Sequence, residues 1–200
     1  CCFFSINYIK KNNYNTNKSH DQKFVTKRKQ NKVKNLLENK ETFFALSTPM
    51  GRSATATIRI NGEKALATLL QLSNKKKLDI KHAKNILVNI YNKNNDLIDN
   101  VVTTYYKKPK SYTGEDLVEI HTHGNPTIIN TLSKELLELG VRPAEPGEFT
   151  KTAYLNGKMD LIQAESVLLL INSTSASGVN LSLNNVTGFA TNELQKAKNS

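Results

Sequence analysis

Two hundred residues, 38% of them hydrophobic, suffice for one ordinary domain with a core, or for a domain plus part of the next. No run reaches the roughly eighteen apolar residues of a membrane-spanning helix, so no membrane partner is expected. Both cysteines are Cys1 and Cys2, which rules out an internal disulfide framework or a cysteine-based zinc site and fits a reducing compartment.

The net charge of +11 resembles a nucleic-acid signature, but it is unevenly placed. Residues 1–40 hold ten Lys/Arg against Asp21 and Glu38, a net of +8, whereas residues 41–200 hold eighteen against fifteen acids, a net of +3. The body is therefore nearly balanced, and the high pI is no evidence for a basic groove within it. The Lys/Asn-rich leader is poor in apolar positions after Ile9 and should be largely disordered. An acid-poor basic leader also suits a transit peptide to a plastid or mitochondrion, although a solvated tail explains the composition as well.

From Glu41 the pattern sharpens. Residues 42–48 and 55–61 read as strands joined by the Pro49-Met-Gly-Arg52 turn. Residues 63–72 read as a helix with Ala65, Leu66, Leu69 and Leu70 as its apolar stripe. A polar loop over 75–84 leads to strands near 85–91 and 97–107. The segment Ser111-Tyr-Thr-Gly-Glu-Asp-Leu-Val-Glu-Ile-His-Thr-His-Gly124 carries the most chemistry. Val118 and Ile120 alternate with Glu119 and His121, the period of a half-buried strand, so Glu119, His121 and His123 are expected on one face. Asn125 then suits a helix N-cap and Pro126 a first helical position. The helix predicted over 126–139 is closed by Gly140.

After Val141 the composition changes. Arg142-Pro-Ala-Glu-Pro-Gly-Glu-Phe149 reads as a stiff connector into a short helix that stops at Gly157. Asp160 and Gln163 match an N-cap and N3 pair opening a helix of about 12 residues. A further helix is expected over 177–198, with Val179, Leu183, Val186, Ala190, Leu194 and Ala197 on one stripe. That stripe needs a partner, which implies a chain ending inside a second, helical domain. The expected organisation is a leader over 1–40, an α+β domain with a mixed or antiparallel sheet over 41–157, and the start of a helical domain over 158–200.

Three segments together carry a family resemblance. They are Thr48-Pro-Met-Gly-Arg52 with Ile58-Arg-Ile-Asn-Gly62, then residues 111–124, then Arg142-Pro-Ala-Glu-Pro-Gly-Glu-Phe-Thr150 through Leu155-Asn-Gly-Lys-Met-Asp-Leu-Ile-Gln-Ala-Glu165. In this order they resemble the N-terminal portion of the MnmE (TrmE) tRNA-modification GTPases. The resemblance implies an aminomethyltransferase-like, tetrahydrofolate-binding fold that mediates homodimerisation, followed by a helical domain interrupted by a Ras-like G domain. It implies modification of carbon 5 of the tRNA wobble uridine with an FAD-dependent partner protein. The one-carbon donor would be 5-formyl- or 5,10-methylene-tetrahydrofolate, with GTP, Mg and K belonging to the G domain. The family's folate contacts fall on Arg59, Glu119 and Lys158. Where the family shows His-Gly-Gly, this chain has His123-Gly124-Asn125. The chain contains no Gly-x-x-x-x-Gly-Lys-[Ser/Thr], so GTP hydrolysis is not expected of these residues.

The chemistry of the three residues agrees. A pterin edge presents an N–H beside an amino group, which suits a carboxylate such as Glu119. Arg59 and Lys158 are cations for the carboxylates of the p-aminobenzoyl-glutamate tail or for a formyl oxygen. Taken without the resemblance, Arg59 and Glu119 are ordinary polar residues of a strand face, and Lys158 is favourable at a helix C-terminus. Two rival readings exist. Glu119, His121 and His123 could together ligate Zn²⁺ or iron, or the domain could serve dimerisation alone.

Overall fold

A computed structural model describes residues 41–191 and Lys196. The expectations for the leader and for most of 192–200 fall outside the described residues. The described chain forms two compact units, one of residues 41–111 with 115–144, the other of residues 112–114 with 145–191 and Lys196.

The first unit is α+β. Its strands are β1 (Phe43–Leu46), β2 (Ser53–Asn61), β3 (Asn85–Tyr91), β4 (Leu97–Tyr106), β5 (Leu117–Gly124) and β6 (Arg142–Pro143), in the spatial order β3-β4-β5-β2-β1-β6. All pairings are antiparallel except β1 with β6, so the sheet is mixed. Strand β6 lies in the segment read from sequence as a connector. Two residues with one proline carry no periodicity, and the backbone hydrogen bonds from Arg142 N to Thr42 O at 3.3 Å and from Ala144 N to Phe44 O at 2.8 Å tie the segment alongside β1.

Helices α1 (Ala65–Leu72) and α2 (Pro126–Glu138) cover one face. Alternation along β2 and β5 sends Ile58, Ile60, Val118 and Ile120, all fully buried, into one core with Leu69, Ile129, Leu132 and Leu136. Each such aliphatic side chain contributes roughly 1.5–3 kcal/mol by leaving water. Helix α2 starts as expected, with the Asn125 side chain accepting from Thr127 N at 2.9 Å and Pro126 in the first turn. The central strands thus turn their other face, and its polar side chains, away from this core.

The second unit contains α3 (Glu148–Leu155), α4 (Leu161–Asn172) and α5 (Ala176–Val186). Asp160 and Gln163 form a full capping box at the start of α4, and α4 packs on α5. The helix predicted as continuous from 177 to 198 is interrupted. Val186 ends α5, Gly188 takes a φ of +89°, and helix resumes at Phe189. The break does not show in the sequence pattern, because the 3–4 spacing of apolar residues runs on from Val186 to Ala190 across Gly188.

Candidate functional site

Strands β2 and β5 pair in a register that places Arg59 directly opposite Glu119 and Thr57 opposite His121. Antiparallel partners on one face stand about 4.5–5.5 Å apart at Cβ, which lets each pair meet. Arg59 Nε donates to Glu119 Oε1 at 2.8 Å. The Glu119 side chain is only 13% exposed and that of Arg59 37%, so the carboxylate lies at the bottom of the pair and the guanidinium at its rim. Thr57 Oγ1 and His121 Nδ1 are 3.0 Å apart, and His121 Nε2 lies 3.9 Å from Glu119 Oε2.

Strand β4 adds a third wall. Its register sets Thr104 against Glu119 and Tyr106 against Leu117, and the Tyr106 hydroxyl reaches Glu119 Oε2 at 3.5 Å. Burial raises the Tyr106 phenol above its ordinary pKa. The Glu119 charge and hydrogen bond add to this, and the Arg59 charge partly opposes it. Tyr106 therefore stays a neutral donor. Glu119 is left with one strong partner, Arg59, and two long contacts, to Tyr106 and His121, so its carboxylate retains acceptor capacity.

The structure does not assemble Glu119, His121 and His123. Alternation places His123 beside the other two, but its Nδ1 lies 2.8 Å from Asp99 Oδ1. The same carboxylate accepts from the His123 backbone N–H at 2.9 Å and from Thr122 Oγ1 at 2.5 Å. Asp99 thus holds the imidazole at the end of β5. Among the described residues no three His, Cys, Asp or Glu side chains converge as a metal site.

Gly124, the last residue of β5, faces Ser53 of β2. A Cβ there would lie 2.0 Å from Ser53 Oγ and 2.5 Å from its carbonyl oxygen, so the close approach of the strands requires glycine. Asn125, which departs from the family's second glycine, adopts an ordinary extended backbone with φ −111° and serves as the helix cap.

Lys158 belongs to the second unit. Its backbone N–H donates to Ala153 O at 2.9 Å, closing α3, and its exposed side chain runs over Gly114, where a Cβ would stand 3.2 Å from Lys158 Cγ. In the same unit Asn156 Nδ2 donates to Thr113 O at 2.7 Å and Tyr112 Oη lies 3.0 Å from Thr150 Oγ1, fastening residues 112–114 to α3.

Sequence reasoning names Arg59 and Glu119 but not Thr57, Tyr106 or Asp99. Strands β2 and β4 are expected as strands, yet nothing local states which of their residues stand against Glu119.

Residues 42–158 match the family described as GTP-binding protein TrmE N-terminus. The chain is 44% identical over 165 residues to the tRNA modification GTPase MnmE of Fervidobacterium nodosum, covering 81% of this chain and 36% of that protein. It is 40% identical over 148 residues to the MnmE of Legionella pneumophila, covering 74% and 33%, and 46% identical over 136 residues to that of Francisella tularensis subsp. novicida, covering 68% and 29%. The chain therefore spans only about a third of the length of these relatives. With its family match over residues 42–158 and its mixed α+β sheet, the chain belongs to the TrmE family and carries that family's N-terminal domain.

Proposed function

We propose that the chain is the N-terminal part of a tRNA-modification GTPase and that it binds a reduced folate. The observation that carries the reading is the Arg59–Glu119 pair, a largely buried carboxylate beside a half-exposed guanidinium. These groups fit a folate. Glu119 can accept two charge-assisted hydrogen bonds from the pterin edge, and Arg59 spends only Nε on Glu119, which leaves its terminal amino groups for an anionic or carbonyl oxygen. Lys158 is added from the family motif alone, as a second cation for the ligand's oxygens.

When bound, 5-formyl- or 5,10-methylene-tetrahydrofolate supplies a one-carbon unit. The chain's own residues bind and orient. Glu119 reads the pterin edge, Arg59 fixes the carboxylate's rotamer, and Tyr106 closes the base of the site as a neutral donor. In the whole protein the unit would go to carbon 5 of a tRNA wobble uridine with an FAD-dependent partner protein. GTP, Mg and K would be used by a separate G domain. We place the protein as a homodimer, in a plastid or mitochondrion if residues 1–40 act as a transit peptide. Relatives carry the name tRNA modification GTPase, which supports the reaction class.

Calorimetric titration with 5-formyltetrahydrofolate tests the reading. Glu119→Gln keeps the size and removes the charge, and it should weaken binding by about 1–3 kcal/mol, roughly 5- to 150-fold. Lys158→Ala should weaken binding with a loss that shrinks at high salt. Absence of binding by the folded wild type, or unchanged affinity in Glu119→Gln, would overturn the assignment. Sedimentation equilibrium on the same protein tests the dimer.

A further inference from the structure

The near-neutral balance of residues 41–200 conceals a local concentration of charge. Two hydrogen bonds tie the loop between α1 and β3 to the end of β4 and to the first residue of the turn that follows it. Ala83 N donates to Tyr105 O at 2.8 Å, and Lys107 N donates to His82 Nδ1 at 3.1 Å. This brings Lys81 and Lys84 beside Lys107, Lys108 and Lys110, all five exposed. Among the described residues none of the five forms an ion pair. Of the nearby acids, Asp79 lies on the first loop, and Asp116 already accepts from the Tyr105 hydroxyl and from Lys108 N, both at 2.9 Å.

His82 is held in a defined state at the centre of this surface. Its Nδ1 accepts a backbone N–H, so its proton sits on Nε2, and the exposed ring offers one donor and one flat edge. The ring meets Tyr106 edge-on, with centroids 6.2 Å apart, and Tyr106 in turn touches Glu119. The lysine surface therefore adjoins the Arg59–Glu119 site through two aromatic rings in the same unit.

We propose that Lys81, Lys84, Lys107, Lys108 and Lys110 with His82 form the surface on which the RNA substrate docks beside the folate site. The inference rests on the folate and tRNA reading above and adds where the RNA lies. Unpaired lysines on two adjoining loops suit the repeated phosphates of a nucleic-acid backbone, which they neutralise with release of counterions. A fixed imidazole donor suits a base edge or a ribose hydroxyl. A reaction that brings a carbon unit to a base needs the RNA anchored next to the donor, and this surface is contiguous with it.

The test is binding of a fluorescein-labelled tRNA transcript, by anisotropy, to the whole chain across a salt series. The variant combines Lys81→Gln, Lys107→Gln and Lys108→Gln. A charge-matched control combines Lys64→Gln, Lys134→Gln and Lys151→Gln, which leaves the basic residues 1–40 unchanged in both. The variant should bind about tenfold or more weakly, and its slope of log K against log salt should fall by about 2–3, at roughly 0.7–0.9 for each phosphate that is no longer neutralised. The control should change by much less. Folate affinity should be the same in all three proteins, because these lysines do not touch Arg59 or Glu119, so failure of the RNA surface is separable from failure of the folate site. Equal losses in variant and control, or no tRNA binding by the wild type, would overturn the proposal. So would loss of binding to phosphatidylglycerol vesicles with tRNA binding intact, which would make the surface a membrane-docking face.

Discussion

Arg59 and Glu119 stand directly opposite each other on β2 and β5, and the guanidinium donates to the carboxylate at 2.8 Å with the carboxylate only 13% exposed. Breaking this pair leaves a shielded charge behind. Arg59 is exposed enough that solvent screens much of the attraction, so the stability at stake is small, about 0.5–1 kcal/mol. A double-mutant cycle with Arg59→Gln and Glu119→Gln in urea unfolding should return a coupling of that size. Folate affinity should fall far more than stability in either single variant. A coupling near zero would show that the two side chains are held by the strands and not by each other.

Asp99 should make the first unit's stability depend on pH in the acid range. Burial pushes its carboxyl up, but hydrogen bonds from Thr122, from the backbone and ring of His123 and from Asn100 outweigh it and hold the group below its ordinary value of 3.8. A carboxylate with a depressed folded pKa stabilises the fold above its unfolded pKa. That stabilisation is lost as pH falls through the folded value. The urea midpoint of the wild type should therefore exceed that of Asp99→Asn by an amount that is constant near neutrality and shrinks below about pH 4. A gap independent of pH from 7 to 3 would remove the carboxylate's charge from the explanation.

Gly124→Ala should destabilise the fold by about 1–3 kcal/mol, since the added methyl meets both the hydroxyl and the carbonyl of Ser53. Adding Ser53→Ala removes the hydroxyl but leaves the carbonyl 2.5 Å from the new atom, so rescue should be partial at most. Full rescue in thermal unfolding would mean that the backbones of β2 and β5 separate easily here.

Thr103 lies in the middle of β4, fully buried against Ile120, and its hydroxyl is the one buried side-chain oxygen without a hydrogen-bond partner among the described residues. Thr103→Val keeps the branched shape and removes the unpaired group. It should raise stability by about 1 kcal/mol. A loss of stability would show that the hydroxyl is satisfied in solution, for instance by a bound water.

The sequence alone determined what depends on neighbours along the chain. The alternation that buries Val118 and Ile120, the Asn125 cap before Pro126 and the Asp160–Gln163 capping box each involve residues within four positions, and all three are present. The family motifs also singled out Arg59 and Glu119. Their meeting was decided only by tertiary structure, because the two are 60 residues apart and strand register rests on packing across the whole sheet. The same holds for His123. Alternation places it with Glu119 and His121, but a carboxylate 24 residues earlier supplies a better partner and draws its ring to Asp99. Net charge was equally silent about the lysines of the two loops. A sum over residues has no position in it, and only the hydrogen bonds from Ala83 to Tyr105 and from Lys107 to His82 bring those charges onto one surface.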